Sequence, residues 1–127
     1  VITYEFNQSE ALSAHHCHCR DCQKITGSGK ATILLVPSNS LSVSGDLKFY
    51  TVEGSAGSHV SRGFCSECGS QLISYVNENP DLKFVKVGSI DDSSWVSISS
   101  NFWSSTANPW SPADDSVHCF THNPDFA

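Results

Sequence analysis

The sequence predicts an all-β fold, because three observations favour strands over helices. Short runs rich in apolar and β-branched residues recur along the 127-residue chain, with turn-forming residues between them. No window of 11 or more residues repeats apolar positions at helical spacing. The 23 serines and an apolar fraction of only 39% are typical of a strand-rich and loop-rich chain. Because this length fits one domain that buries about two-thirds of its unfolded surface, we predict a single domain over residues 1–127.

Eight segments carry the strand pattern. Residues 1–6 alternate apolar and polar side chains, and residues 31–36 form a continuous apolar run that Pro37 ends, which predicts a strand buried on both faces. The runs on either side of Ser44, Gly45 and Asp46 indicate a hairpin. The predicted strands are residues 1–6, 31–36, 41–43, 47–52, 60–64, 72–76, 82–87 and 95–98.

Turns and one short helical segment separate these strands. Glycine, proline, asparagine and aspartate favour turns because of their backbone preferences and local hydrogen bonds. A short helical turn is expected after Cys22, through residues 23–25, and Gly27 would end it. The tail from Asn108 is rich in proline and aspartate and predicts irregular structure. The predicted loops and turns are residues 54–57, 79–81 and 91–93.

The cysteines carry the strongest functional signal. Cys17, Cys19 and Cys22 lie within six residues, and Cys65 and Cys68 form a second pair. Thiolates this close together are typical of zinc, which binds them at about 2.3 Å and takes four ligands in structural sites. Disulfides are disfavoured because the first two cysteines are too close for an easy bridge. Three ligands from one cluster would leave an open coordination position where chemistry can occur. The alternative is one structural site that combines two of these cysteines with the second pair.

The second pair has the spacing of a zinc knuckle. Cys65 and Cys68 are followed by Gly69, which can adopt the positive φ that such a turn needs. A knuckle supplies two ligands, so two more must come from elsewhere. His16 and His18 flank the first cluster, and either is a candidate for its fourth position.

Charge and hydropathy exclude other functions. A net charge of −6 with only seven lysines and arginines argues against nucleic-acid binding, which depends on neutralising phosphates. No apolar run approaches the roughly 20 residues that span a bilayer. We predict a cytoplasmic protein that binds no membrane, with its oligomeric state left open. The chain has no methionine, so the sequence leaves its native N terminus, and any targeting segment before it, undefined.

The motifs together resemble the glutathione-dependent formaldehyde-activating enzyme family, which includes the centromere protein V relatives. The likeness extends over nearly the whole chain, and the two cysteine motifs in this order and separation are its most specific part. The matching segments are CHCRDC at residues 17–22, TGSG at 26–29, RGFCSECGS at 62–70, VGSIDD at 87–92 and STANPW at 105–110.

The resemblance implies a β-tent-like fold of several small antiparallel sheets that carries two zinc ions, and for this chain we expect one or two. Cys17, Cys19 and Cys22 would hold a zinc with an open position. Cys65 and Cys68 would belong to a structural four-cysteine zinc, whose other ligands come from a CxCG motif before the first strand. That motif is missing here, so we expect a shortened chain or a natural variant.

The resemblance also implies a carbon–sulfur lyase-type reaction, in which formaldehyde joins the thiol of glutathione to give S-hydroxymethylglutathione. A thiol in the open position would bind as thiolate and attack a small aldehyde held nearby. Glutathione carries two carboxylates, and Arg20, Lys24 and Arg62 are the cationic candidates to bind them. The alternative function is a non-catalytic zinc module that serves structure or protein interaction, since a fold does not guarantee chemistry.

Overall fold

The structure is a computed structural model that describes residues 1–54 and 57–124. The chain divides into two compact units, the first formed by Val1–Leu12 and Leu34–Asp91 and the second by Ser13–Ile33 with the chain from Asp92 onward. The centre of the predicted loop at residues 54–57 lies outside the described residues. The strands are β1 (Thr3–Phe6), β2 (Ser13–Cys17), β3 (Ala31–Pro37), β4 (Leu41–Ser44), β5 (Leu47–Glu53), β6 (His59–Cys65), β7 (Gln71–Val76), β8 (Asn79–Lys86), β9 (Ile98–Phe102) and β10 (His118–Cys119), and the helix is α1 (Arg20–Thr26).

Strands are the predominant regular structure of the described chain, which confirms the predicted all-β class. The boundary between the units falls inside β3, whose residues from Ile33 to Val36 are all buried, as the apolar run predicts. Among the residues that the structure describes, four short 3₁₀ segments lie between the strands, at Gln8–Glu10, Ser38–Ser40, Val87–Ser89 and Ser104–Thr106. No helix in residues 1–54 or 57–124 is long and apolar enough to cross a membrane.

The first unit contains two antiparallel arrangements. Strand β1 pairs with β4, from Thr3 opposite Ser44 to Phe6 opposite Leu41. Strands β5, β6, β7 and β8 follow one another as antiparallel neighbours. The buried side chains of this unit come mainly from β3, β7 and β8, with Ile73 and Val85 among the least exposed.

Two predictions for the first unit are wrong. The hairpin around Gly45 does not form, because β4 pairs with β1 while β5 pairs with β6. Gly45 has a φ of +99° and lies against the Val1 carbonyl, so the chain turns there between two different sheets. The predicted turn at residues 79–81 is instead the start of β8, where Asn79 pairs with Val76 and Pro80 is the second residue of the strand.

The second unit contains parallel strand pairs, although the resemblance implied antiparallel sheets. Strand β9 pairs in parallel with both β2 and β10. The strand predicted at residues 95–98 begins only at Ile98, because Trp95 lies in a turn and its indole N–H donates to the Asp92 carbonyl at 2.7 Å. The described part of the tail, residues 108–124, is irregular, as predicted, apart from the two residues of β10 and one bridge between Asn108 and Ser111.

The predicted helical turn is confirmed, but it begins earlier. Helix α1 starts at Arg20 rather than Gln23, because Cys19 in an extended conformation acts as its N-cap. Gly27 ends the helix with a φ of +68° and donates its N–H to the Gln23 carbonyl, as the glycine signal indicated.

Candidate metal centre

The cysteine cluster lies where β2 turns into α1. Cys17 is the last residue of β2, Cys19 is the helix N-cap and Cys22 lies in the first turn of the helix. The Cys19 sulfur accepts the Cys22 backbone N–H at 3.3 Å. Parallel pairing with β9 fixes the strand end, since Cys17 lies opposite Phe102 and the next N–H, that of His18, donates to the Phe102 carbonyl at 2.9 Å.

The three sulfurs of the cluster converge. The Sγ atoms of Cys17, Cys19 and Cys22 all lie within 4.8 Å of one another. Cys17 and Cys22 are buried, whereas Cys19 is partly exposed, so the cluster is most accessible on the Cys19 side. None of the chain's six cysteines, all of which lie in the described part, forms a disulfide.

Crowding of the thiols opposes their ionisation. Hydrogen bonds with the Cys19 and Cys22 thiols, together with burial, raise the pKa of Cys17 far above its usual range. A hydrogen bond from Cys17 lowers the pKa of Cys19, but hydrogen bonding to Cys22, burial and the neighbouring sulfur charge raise it overall. A divalent cation reverses this balance, because coordination deprotonates a thiol outright. Three convergent soft donors therefore fit zinc.

Buried polar side chains that the sequence analysis did not identify hold this turn. Gln23 is buried and donates its amide N–H groups to the carbonyls of His18 and Thr106, at 2.8 and 3.0 Å. The Thr106 hydroxyl also donates to the His18 carbonyl at 2.8 Å. A glutamine beside the last cysteine gives no sequence signal of burial, since glutamine is mostly found on surfaces.

His18 lies between Cys17 and Cys19 in the chain and is fully buried. Its Nε2 lies 3.0 Å from Asn101 Oδ1, and the Asn101 amide N–H donates to the Asp114 carbonyl at 2.8 Å. This orientation of Asn101 places its oxygen toward His18, so we assign the proton of the imidazole to Nε2. Within the described residues, His18 Nδ1 has no hydrogen-bond partner. His16, the other candidate for a fourth ligand, bonds Thr32 through Nδ1 at 2.8 Å.

Cys65 and Cys68 form a tight turn between β6 and β7 in the first unit. Gly69 has a φ of +78°, as the knuckle spacing predicts, and donates its N–H to the Cys65 carbonyl at 2.7 Å. The Ser70 hydroxyl lies 3.2 Å from the Cys68 sulfur. Hydrogen bonds from the Ser70 hydroxyl and backbone, and from Cys65, lower the pKa of the exposed Cys68 thiol.

The candidate cations occupy different positions. Arg20 and Lys24 are exposed, one turn apart on the helix that carries Cys22. Arg20 donates from Nη1 to Gln23 Oε1 at 2.7 Å. Arg62 is buried in β6 of the first unit, between Tyr50 and Ser74 of the neighbouring strands.

Comparison with known proteins identifies the family. A family profile described as "Glutathione-dependent formaldehyde-activating enzyme" matches residues 1–106, which is most of the chain. The chain belongs to this family. The predicted resemblance is thereby confirmed.

A curated relative in the family comes from Phaeosphaeria nodorum and is named "Putative glutathione-dependent formaldehyde-activating enzyme". It is 34% identical over 91 residues, which cover 68% of this chain and 47% of the relative. The chain therefore spans about half the length of the curated relative that it matches.

Proposed function

We propose that this formaldehyde-activating family member is a zinc enzyme that joins a small aldehyde to a thiol, with formaldehyde and glutathione as the substrate pair. The convergence of the Cys17, Cys19 and Cys22 sulfurs within 4.8 Å is the observation that carries the proposal. It supplies three donors, whereas a closed structural zinc site uses four. The family profile and the name of the Phaeosphaeria nodorum relative support this choice of reaction.

The reaction forms one bond between the thiol sulfur and the carbonyl carbon. The carbonyl π electrons move to oxygen, and the proton lost by the thiol ends on that oxygen, so the product is a hydroxymethyl thioether. Zinc, when bound, lowers the pKa of a thiol or polarises a carbonyl. The chain holds the reactants at the partly exposed Cys19 side of the cluster, while Cys17 and Cys22 form its buried side.

Cationic side chains bind the carboxylates of the thiol substrate. We assign this role to Arg20 and Lys24, which lie on the helix that carries Cys22. Charge-assisted hydrogen bonds from guanidinium to carboxylate are short and strong, which suits a carboxylate-rich peptide thiol. Cys65 and Cys68 are assigned to a separate structural zinc knuckle, with a role in folding rather than chemistry.

The test combines metal analysis with exchange NMR. Formaldehyde and glutathione equilibrate spontaneously with their adduct, so catalysis appears as faster exchange between their resonances when the protein is added. We expect Cys19→Ser to lose the cluster zinc and the acceleration while its circular dichroism stays native. Cys119→Ser is the matched control, because Cys119 is exposed and lies outside the cluster, and it should keep both.

Cys68→Ser tests the second knuckle, and it should lower the melting temperature without removing the cluster zinc. Wild-type protein that binds zinc in the cluster but leaves the exchange rate unchanged would contradict the enzymatic proposal and favour a non-catalytic zinc module. Equal zinc loss in Cys19→Ser and Cys68→Ser would contradict two separate sites.

A further inference from the structure

The Gln23 side chain, beside the cysteine cluster, makes four hydrogen bonds. It is only 6% exposed, and both its amide nitrogen and its amide oxygen make two of these bonds each. Its nitrogen donates to the carbonyls of His18 and Thr106. Its oxygen accepts from Arg20 Nη1 at 2.7 Å and from Asn108 Nδ2 at 2.9 Å.

These bonds leave the amide one orientation. A flipped amide would turn its oxygen toward two carbonyls and its nitrogen toward two donors, which would lose all four hydrogen bonds. The Gln23 oxygen is thus fixed as an acceptor facing Arg20 and Asn108. Arg20 and Asn108 therefore bond to the same side chain that donates to the His18 carbonyl in the cysteine turn.

The acceptor that holds Arg20 is neutral. Among residues 1–54 and 57–124, no carboxylate lies within ion-pair distance of the Arg20 guanidinium. Gln23 takes one N–H of the five that a guanidinium carries, so the remaining donors and the full positive charge stay available. A glutamate at this position would have similar reach, but it would neutralise the charge and could not donate to the His18 and Thr106 carbonyls.

We propose that Gln23 is a positioning residue that aims the Arg20 guanidinium and thereby sets a preference for carboxylate-bearing thiols over neutral thiols. The inference rests on the proposed function, because it concerns the thiol substrate of the same site. Gln23 acts through Arg20 and contacts neither the sulfurs nor the aldehyde. Its second pair of bonds, to His18 and Thr106, keeps the arginine in register with the cysteine turn.

Two thiols separate this role from a purely structural one. Glutathione carries carboxylates, whereas 2-mercaptoethanol is small and neutral. With zinc-loaded protein and formaldehyde, we expect Gln23→Glu and Arg20→Gln each to raise the KM for glutathione by about 10-fold, the value of one charge-assisted hydrogen bond. In Arg20→Gln, kcat/KM for 2-mercaptoethanol should change less than about 3-fold, since a neutral thiol makes no carboxylate contact that could be lost.

The controls use the zinc-loaded protein throughout. Lys30→Gln removes one positive charge from the same unit and should leave the KM for glutathione within about 2-fold of wild type, because the Gln23 oxygen holds Arg20 and Asn108 and not Lys30. Zinc content and melting temperature are measured for each variant. Calorimetric titration with glutathione alone gives a readout besides activity, and its affinity should fall by the same factor in Arg20→Gln.

The outcomes are distinguishable. An equal loss of kcat/KM for both thiols in Arg20→Gln, or unchanged glutathione affinity in that variant, would overturn the role of Gln23 and Arg20 while leaving the reaction itself standing. If Gln23→Glu loses zinc or unfolds, Arg20→Gln decides, because its side chain is exposed and its removal leaves the cluster intact. Wild-type protein that accelerates neither thiol contradicts the proposed function, and absence of glutathione binding by calorimetry would then contradict the inference as well.

Discussion

The hydrogen bond between His18 and Asn101 anchors the cysteine turn. A double-mutant cycle measures the contribution of this bond to the free energy of unfolding. Both side chains are fully buried, and His18 Nε2 lies 3.0 Å from Asn101 Oδ1. Asn101→Leu keeps the side-chain volume but removes the acceptor, and His18→Phe keeps a planar ring but removes the donor. Each single substitution therefore leaves one buried polar group without its partner.

The expected magnitude follows from that unpaired group. A buried donor or acceptor that loses its partner costs about 1–3 kcal/mol, so each single variant should lose about 2 kcal/mol of unfolding free energy. Asn101→Leu also removes a donor from the Asp114 carbonyl, but Asp114 is exposed and water replaces that bond. The double variant has no unpaired group at this position. Its loss should be smaller than the sum of the single losses by about 1–2 kcal/mol.

Urea unfolding of the four proteins, with zinc either saturating or chelated throughout, gives the four free energies. His16→Phe is the control, because His16 is only partly buried and its bond to Thr32 is accessible to water. That variant should lose less than about 1 kcal/mol. Losses that add within about 0.5 kcal/mol in the cycle would refute the reasoning, since independent sites behave that way.

Three further predictions test other parts of the chain. The hydrogen bond to Glu78 raises the pKa of His59, so the stabilisation from this bond is complete below pH 6.5 and is lost as the pH rises through the raised pKa. NMR titration of His59 should show the raised pKa, and Glu78→Gln should bring that pKa back toward 6.5. Iodoacetamide should label Cys68 first in metal-free protein, because Ser70 lowers the pKa of that exposed thiol, and mass spectrometry at successive time points measures the labelling. An unchanged labelling rate of Cys68 in Ser70→Ala would contradict this cause. Gly27→Ala should lower the free energy of unfolding by about 1 kcal/mol, because a φ of +68° strains any residue with a Cβ, even though no atom lies near enough to clash with one. Thermal unfolding measures the change, and a stabilised variant would contradict the prediction.

The positions of most strands could be predicted from the sequence, but their partners could not. Alternation and β-branched runs report whether a segment fits a half-buried pleated surface, and this is a local property. Pairing is set by tertiary contacts. Ser44, Gly45 and Asp46 mark a true bend in the chain, yet β4 pairs with β1, more than 30 residues earlier. Pro80 favoured a turn at residues 79–81, although proline is accepted near the first residue of a strand.

The candidate site likewise has features that the local sequence predicts and features that only tertiary contacts determine. The sulfurs of Cys17, Cys19 and Cys22 could be predicted to converge, because ligands spaced two and three residues apart share one turn. The side chains that hold the turn could not. Gln23 and Asn101 belong to residue types that are common on surfaces, and only the folded chain shows that both are buried and fully bonded.

Cys19 links helix formation to the donor set, which explains why a serine is the informative substitution there. Its sulfur is one of the three convergent donors and also accepts the Cys22 N–H at the start of α1. Serine is among the preferred N-cap residues, so the hydroxyl of Cys19→Ser continues to accept that N–H, and the helix keeps its first turn. What the variant loses is thiolate character, because an alkoxide is not formed near neutral pH and a neutral hydroxyl is a poor ligand for zinc. Retention of the helix with loss of the metal would thus separate the two roles of one side chain.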